Sequence, residues 1–187
     1  MSENSREKIL ETATRLAQAH GYGGLNIRDL AAAVGIKAAS IYYHFPGKAE
    51  LAAAVAHRYW EYSVSALEEI WDTYPEPLAR LRHYPETFRY ALERENRMCM
   101  ASFMGAEYDD LPDIVKSEVQ VFSEVNIAWL RKTLLAAEAV EDDQAEARAR
   151  AVFAAVVGAQ LMARSRADIA LYDALIDTYR SVGLIPG

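Results

Sequence analysis

The chain has 187 residues, 52% hydrophobic and 25% charged, with 9 Gly, 6 Pro and one Cys. That composition is globular, suited to one or two small domains with a buried core, and it excludes a disulfide framework or a thiolate-rich structural zinc site. Lys and Arg number 20 against 27 Asp and Glu, a net charge of -7. Taken whole, that acidity disfavours a phosphate-bearing partner.

The charge is uneven along the chain. Residues 1–48 hold six basic residues (Arg6, Lys8, Arg15, Arg28, Lys37, Lys48) against four acidic ones (Glu3, Glu7, Glu11, Asp29), or +2. The remainder has 14 basic against 23 acidic residues, or -9. A mildly basic head on an acidic body suggests two parts with different partners. The longest uncharged stretch, Ala151 to Ala163, is thirteen residues, short of the roughly 20 that a bilayer span requires. The first residues form no basic-then-apolar leader, so a soluble, cytoplasmic protein is expected.

In chain order the pattern is helical nearly everywhere, with no sustained strand-like alternation. Ile9, Ala13, Leu16, Ala17 and His20 keep three-and-four spacing until Gly21 stops the first helix. Asn26 with Asp29 resembles a capping box. Ile27, Leu30, Ala31 and Val34 then face inward, and Gly35 suits a left-handed helix end. A short helix over Ala38 to His44 stops at Pro46-Gly47, and a long one runs from Lys48 to about Tyr74. Pro75 and Pro77 break the chain, and Pro85 either kinks the next segment or opens a new helix. Gly105 and the Asp109-Asp110-Leu111-Pro112 run mark another break. Val115, Val119, Phe122, Asn126, Trp129 and Thr133 then lie on one long helix face. Helices over Ala145 to about Arg164 and Ala167 to Val182 complete an all-α chain of about nine helices.

Two short helices joined by a glycine turn, after a longer one, describe a helix-turn-helix head. In Lys37-Ala38-Ala39-Ser40-Ile41-Tyr42-Tyr43-His44-Phe45, Ile41 and Phe45 face inward. Lys37, Ala39, Ser40, Tyr43 and His44 face out, with Tyr42 at the boundary. Adjacent small residues allow close approach to a groove floor. Hydroxyl, phenol and imidazole groups can donate to phosphates or base edges. Arg28 and Lys48 stand where positive charge can hold flanking phosphates. Each aromatic alone reads equally as a packed helix end; the pattern as a whole favours DNA.

These residues resemble the TetR family of transcriptional regulators. The likeness rests on Ile9-Leu10-Glu11-Thr12-Ala13, Gly21-Tyr22, Ile27-Arg28-Asp29-Leu30-Ala31, Gly35-Ile36, Ser40-Ile41-Tyr42-Tyr43-His44-Phe45 and Lys48-Ala49-Glu50-Leu51. It implies a homodimer whose three-helix head (residues 1–48, continuing into the long helix to about 62) binds operator DNA. Residues 49–187 would form a helical effector-binding and dimerisation domain. By position match Arg28, Tyr42, His44 and Lys48 look like phosphate contacts, and Lys37, Ala39, Ser40 and Tyr43 like the groove-facing set. With Ala38 these are the candidate DNA-binding residues. Many members carry Ser or Thr at the position of Lys37, so this recognition helix lacks a side-chain cap and sets a cation at its positive dipole end, at a cost of about 1 kcal/mol.

Beyond the head the resemblance implies only a helical frame, in which the last two helices form a four-helix dimer interface. Small residues (Ala151, Ala154, Ala155, Gly158, Ala159, Ala163) and Leu171, Leu175 and Tyr179 suit that role, or an internal core. Trp71, Phe88, Leu92, Cys99, Met100, Phe103, Met104, Phe122 and Trp129 offer walls for an apolar or aromatic effector, or again core. Cys99, with Arg94 and Arg97 nearby, reads either as a redox or electrophile sensor or as a buried small hydrophobe.

His20, His44, His57 and His83 lack metal spacing, and no P-loop or nucleophile elbow occurs. An enzyme is not expected, nor a cofactor or a metal. The expected function is a ligand-responsive dimeric repressor of a palindromic operator, acting through a ligand-favoured change in the spacing of its two heads. The alternatives are a repressor sensing through Cys99, and a helical adaptor that does not bind DNA.

Overall fold

The computed structural model describes residues 3–186. Its order is α1 (Glu3–His20), α2 (Ile27–Val34), α3 (Ala38–His44), α4 (Lys48–Thr73), α5 (Pro77–His83), α6 (Glu86–Glu93), α7 (Met100–Ala106), a 3-10 turn (Tyr108–Asp110), α8 (Asp113–Ala136), α9 (Asp142–Arg166) and α10 (Ile169–Ser181). No strand occurs among the described residues, and the all-helical class holds. The segment after Pro85 forms two short helices, α6 and α7. The break has a local cause: Glu95 and Asn96 take left-handed φ of 59° and 55°. Asn tolerates that region better than Glu. The turn is held by Asn96 Nδ2 donating to the Arg164 carbonyl (2.9 Å) and Arg164 donating to the Asn96 carbonyl (3.1 Å).

Packing divides the described chain into two units. One comprises the residues up to Glu61 with Met100–Val121, the other Tyr62–Cys99 with the chain from Phe122 onward. The first unit therefore holds more than the three-helix head. Met100, Met104, Leu111 and Val115 share one apolar core with Ile9, Leu10, Ala13 and Ala17 of α1, Leu30 of α2, Ile41 of α3 and Leu51 and Val55 of α4. Each fully buried Leu or Ile side chain is worth about 1.5–3 kcal/mol, so a short helix such as α3 is stable only because its apolar residues enter that core.

In the second unit α9 packs on α6 and α10, and α10 also meets α6. The buried amides of Asn126 and Gln160 are both hydrogen-bonded. Tyr84 Oη donates to Asn126 Oδ1 (3.0 Å), whose Nδ2 donates to the Phe122 carbonyl (2.8 Å). This explains the lone Asn on the apolar face of α8. Gln160 Nε2 donates to the Phe88 carbonyl (2.6 Å), while its Oε1 accepts from the Cys99 amide (2.9 Å). Such an amide, buried with both ends occupied, ties α9 to α6 and to the residue before α7.

Candidate functional site

The head is shaped by its turns. Gly21 takes φ 66° as α1 ends. The Glu107 carboxylate, just past α7, accepts from the amides of Tyr22 (2.6 Å) and Gly23 (3.1 Å) in the turn that follows. A Cβ at Gly21 would run into that carboxylate and the Phe103 ring. Sequence inspection missed Glu107, because it lies 84 and 85 residues from its partners. Asn26 caps α2, its side-chain oxygen accepting from the amides of Arg28 (2.8 Å) and Asp29 (3.3 Å). At the other end Gly35 (φ 77°) donates to the Ala31 and Ala32 carbonyls. The glycine turn that aims α3 is thus closed by backbone bonds, as its sequence predicts.

On α3, Ile41 and Phe45 are buried, and Tyr42 (52% exposed) and Tyr43 (74%) project outward. Arg28, Lys37 and Ala39 are exposed; Ala38, Ser40, His44 and Lys48 are partly so. The expected inward and outward sets are therefore separated by the fold. Lys37 is the N-cap residue with no side-chain cap bond. His44 packs edge-on against Tyr43 (5.1 Å), and its Nε2 is a buried atom with no hydrogen-bond partner among the described residues. Lys48 lies over the Tyr22 ring (4.3 Å), its Nζ 3.5 Å from the Gly23 carbonyl. Lys48 thereby joins the turn after α1 to the residues that follow α3. The face combines a small-residue patch, two exposed phenols and three cations.

The nine effector candidates fall in both units. Met100 and Met104 are wholly buried in the core of the first unit, and Phe103, partly buried in the same unit, lies against Gly21. In the second unit Phe88, Leu92, Cys99 and Phe122 are core residues. Phe88 and Phe122 form a ring cluster with Phe153, at centroid distances of 6.2–6.4 Å. Trp71 and Trp129 line a groove of about 450 Å³ completed by Val64, Leu67, Glu68, Asp72, Val125 and Lys132. Apolar side chains at helical spacing are drawn first into the core, and only a residue at the core's margin stays open to a ligand.

Cys99 is 2% exposed. Arg94 lies over the Tyr90 ring and Arg97 pairs with Glu95, so both nearby guanidinium groups have other partners. Among the described residues no cluster of His, Cys, Asp and Glu is arranged to hold a metal, and no helix is long and apolar enough to cross a membrane.

The helix-turn-helix arrangement defines a class of DNA-binding regulators. Residues 9–55 match the family model described as bacterial regulatory proteins, tetR family. The chain is 37% identical over 75 residues to the HTH-type transcriptional regulator LmrA of Bacillus subtilis, 40% of each chain. It is 30% identical over 145 residues to the class D tetracycline repressor protein of Escherichia coli, 75% of this chain and 63% of that one. These matches span less than two thirds of either relative's length. A solved TetR-family transcriptional regulator from Agrobacterium tumefaciens superposes with a TM-score of 0.88 at 28% identity, covering 94% of this chain and 95% of that one. The chain belongs to the TetR family of transcriptional regulators, with a helix-turn-helix DNA-binding domain.

Proposed function

We propose that the protein is a homodimeric repressor of a palindromic operator, released by a small apolar or aromatic effector. The observation that carries this reading is the outer face of α3. Tyr42 and Tyr43 stay exposed while Ile41 and Phe45 are buried, and no packing need accounts for two solvent-facing phenols on a helix of seven residues. Lys37, Ala38, Ala39, Ser40 and Tyr43 meet the major groove, while Arg28, Tyr42, His44 and Lys48 contact the flanking phosphates. The buried Nε2 of His44 gains a partner on binding.

The second copy seats on α9 and α10, where Leu161 and Met162 are exposed and a side chain at Gly158 would meet nothing within 4 Å. The relatives named as repressors support repression over activation. A binding assay on the DNA flanking its own gene tests the reading. Lys37→Ala weakens operator binding and lowers the salt slope by about one. An unchanged affinity and slope in that variant removes Lys37 from the interface, and no shift of any such DNA by the wild-type protein favours the helical adaptor.

A further inference from the structure

The groove between α4 and α8 is built from one face of each helix. Val64, Leu67, Glu68, Trp71 and Asp72 recur at three-and-four spacing on α4, and Val125, Trp129 and Lys132 do so on α8. Trp129 is fixed as a wall: its indole N–H donates to the Leu67 carbonyl (3.1 Å) and its ring stacks on Tyr84 (5.6 Å, 21°). Trp71 faces two cations. Arg80, 3.8 Å from the ring centroid, is tethered by its Nε to the Tyr74 carbonyl (2.7 Å). The Lys132 ammonium, 3.5 Å from the same centroid, is tethered by no ion pair among the described residues. Glu68 and Asp72, one turn apart, likewise form no ion pair among them.

We infer that this groove binds a planar aromatic cation, and that the Lys132 ammonium occupies the place such a cation takes. With Lys132 displaced, the two carboxylates outnumber the one cation left on Trp71, Arg80, and an indole face attracts positive charge through its quadrupole. The volume, about 450 Å³, suits a two- or three-ring molecule. A flexible lysine on the surface is readily displaced, whereas the anchored Arg80 stays. The inference names the effector class for the function proposed above and rests on that reading only for its link to operator release.

The test uses three ligands of one ring size with the full-length protein: N-methylquinolinium, neutral quinoline and 2-naphthoate. Binding is followed by calorimetry and by quenching of tryptophan fluorescence. The cation is expected to bind tighter than both others. Glu68→Gln with Asp72→Asn is expected to weaken it about fivefold, and Lys132→Met to strengthen it about threefold. These side chains are on the surface, so circular dichroism and thermal midpoint should stay at wild-type values. Preference for 2-naphthoate with loss of binding in Lys132→Met overturns the proposal, as does equal binding of all three unaffected by the substitutions. Operator release is scored separately. Cation binding without release defeats the effector reading and leaves the site standing.

Discussion

Single residues decide how firmly the head is held. Gly21 needs its positive φ and the space that the Glu107 carboxylate and Phe103 ring occupy. Gly21→Ala should therefore destabilise the protein by about 1–3 kcal/mol in urea unfolding. A change within a few tenths of that of an exposed Gly→Ala would disprove the close approach. Tyr84 and Tyr172 make a second case. Burial pushes both phenols above the usual tyrosine value, with further upward pushes from Tyr172 on Tyr84 and from Glu86 and Asp173 on Tyr172. Above about pH 10 the unfolded chain loses these protons and the native state keeps them, so stability falls as pH rises. Each phenol adds up to about 1.4 kcal/mol per pH unit. Urea midpoints from pH 9 to 12 should fall less steeply for Tyr84→Phe than for wild type, whatever the variant's starting stability.

Helices here are set by their ends as much as by their faces. α2 has both ends closed by its own sequence, Asn26 at the start and Gly35 at the finish. α3 has no side-chain cap and carries Lys37 where a Ser or Thr would stabilise it, which fits a residue retained for contact with DNA. α9 ends at Ala167, a non-glycine in the left-handed region at φ 51°. Ala167→Gly removes the Cβ penalty while keeping the bonds to the Ala163 and Arg164 carbonyls. It should raise stability by about 0.5–1 kcal/mol, read as a higher thermal midpoint. A lower midpoint would mean that the Ala167 methyl contributes packing worth more than its strain.

At the scale of the molecule, the proposed function depends on charge and on a second copy of the chain. An average of -7 conceals a +2 head and a -9 remainder; on the function proposed above, that split would favour phosphate contact at the head and repel DNA from the acidic remainder. The outer stripe of α9, Ala147, Ala151, Ala154 and Leu161, stays exposed, while Ala145, Ala149, Val152, Val156, Ala159 and Ala163 enter the core of the second unit. The small residues noted in the sequence thus serve two faces of one helix. Leu161→Glu with Met162→Glu should convert the protein to a monomer in sedimentation velocity and abolish binding to a two-half-site operator, with the helical spectrum retained. A dimer surviving both charges would move the interface away from that stripe.

Local physics was legible in the sequence: the helix limits near Gly21, Gly35, Pro46 and Gly183, the Asn26 cap, the uncapped Lys37 and the division of α3 between Ile41 and Phe45 inside and Tyr43 outside. Each depends on neighbours within about one helical turn, where spacing and backbone preference suffice. Tertiary structure alone decided the long-range facts. Glu107 closes a turn more than eighty residues away. Met104 and Phe103 belong to the first unit and Phe88 and Cys99 to the core of the second. Trp71 and Trp129 of the aromatic inventory come together on one groove. An apolar residue at helical spacing announces a buried face but not what buries it, because burial energy is non-directional and depends only on the surface removed from water.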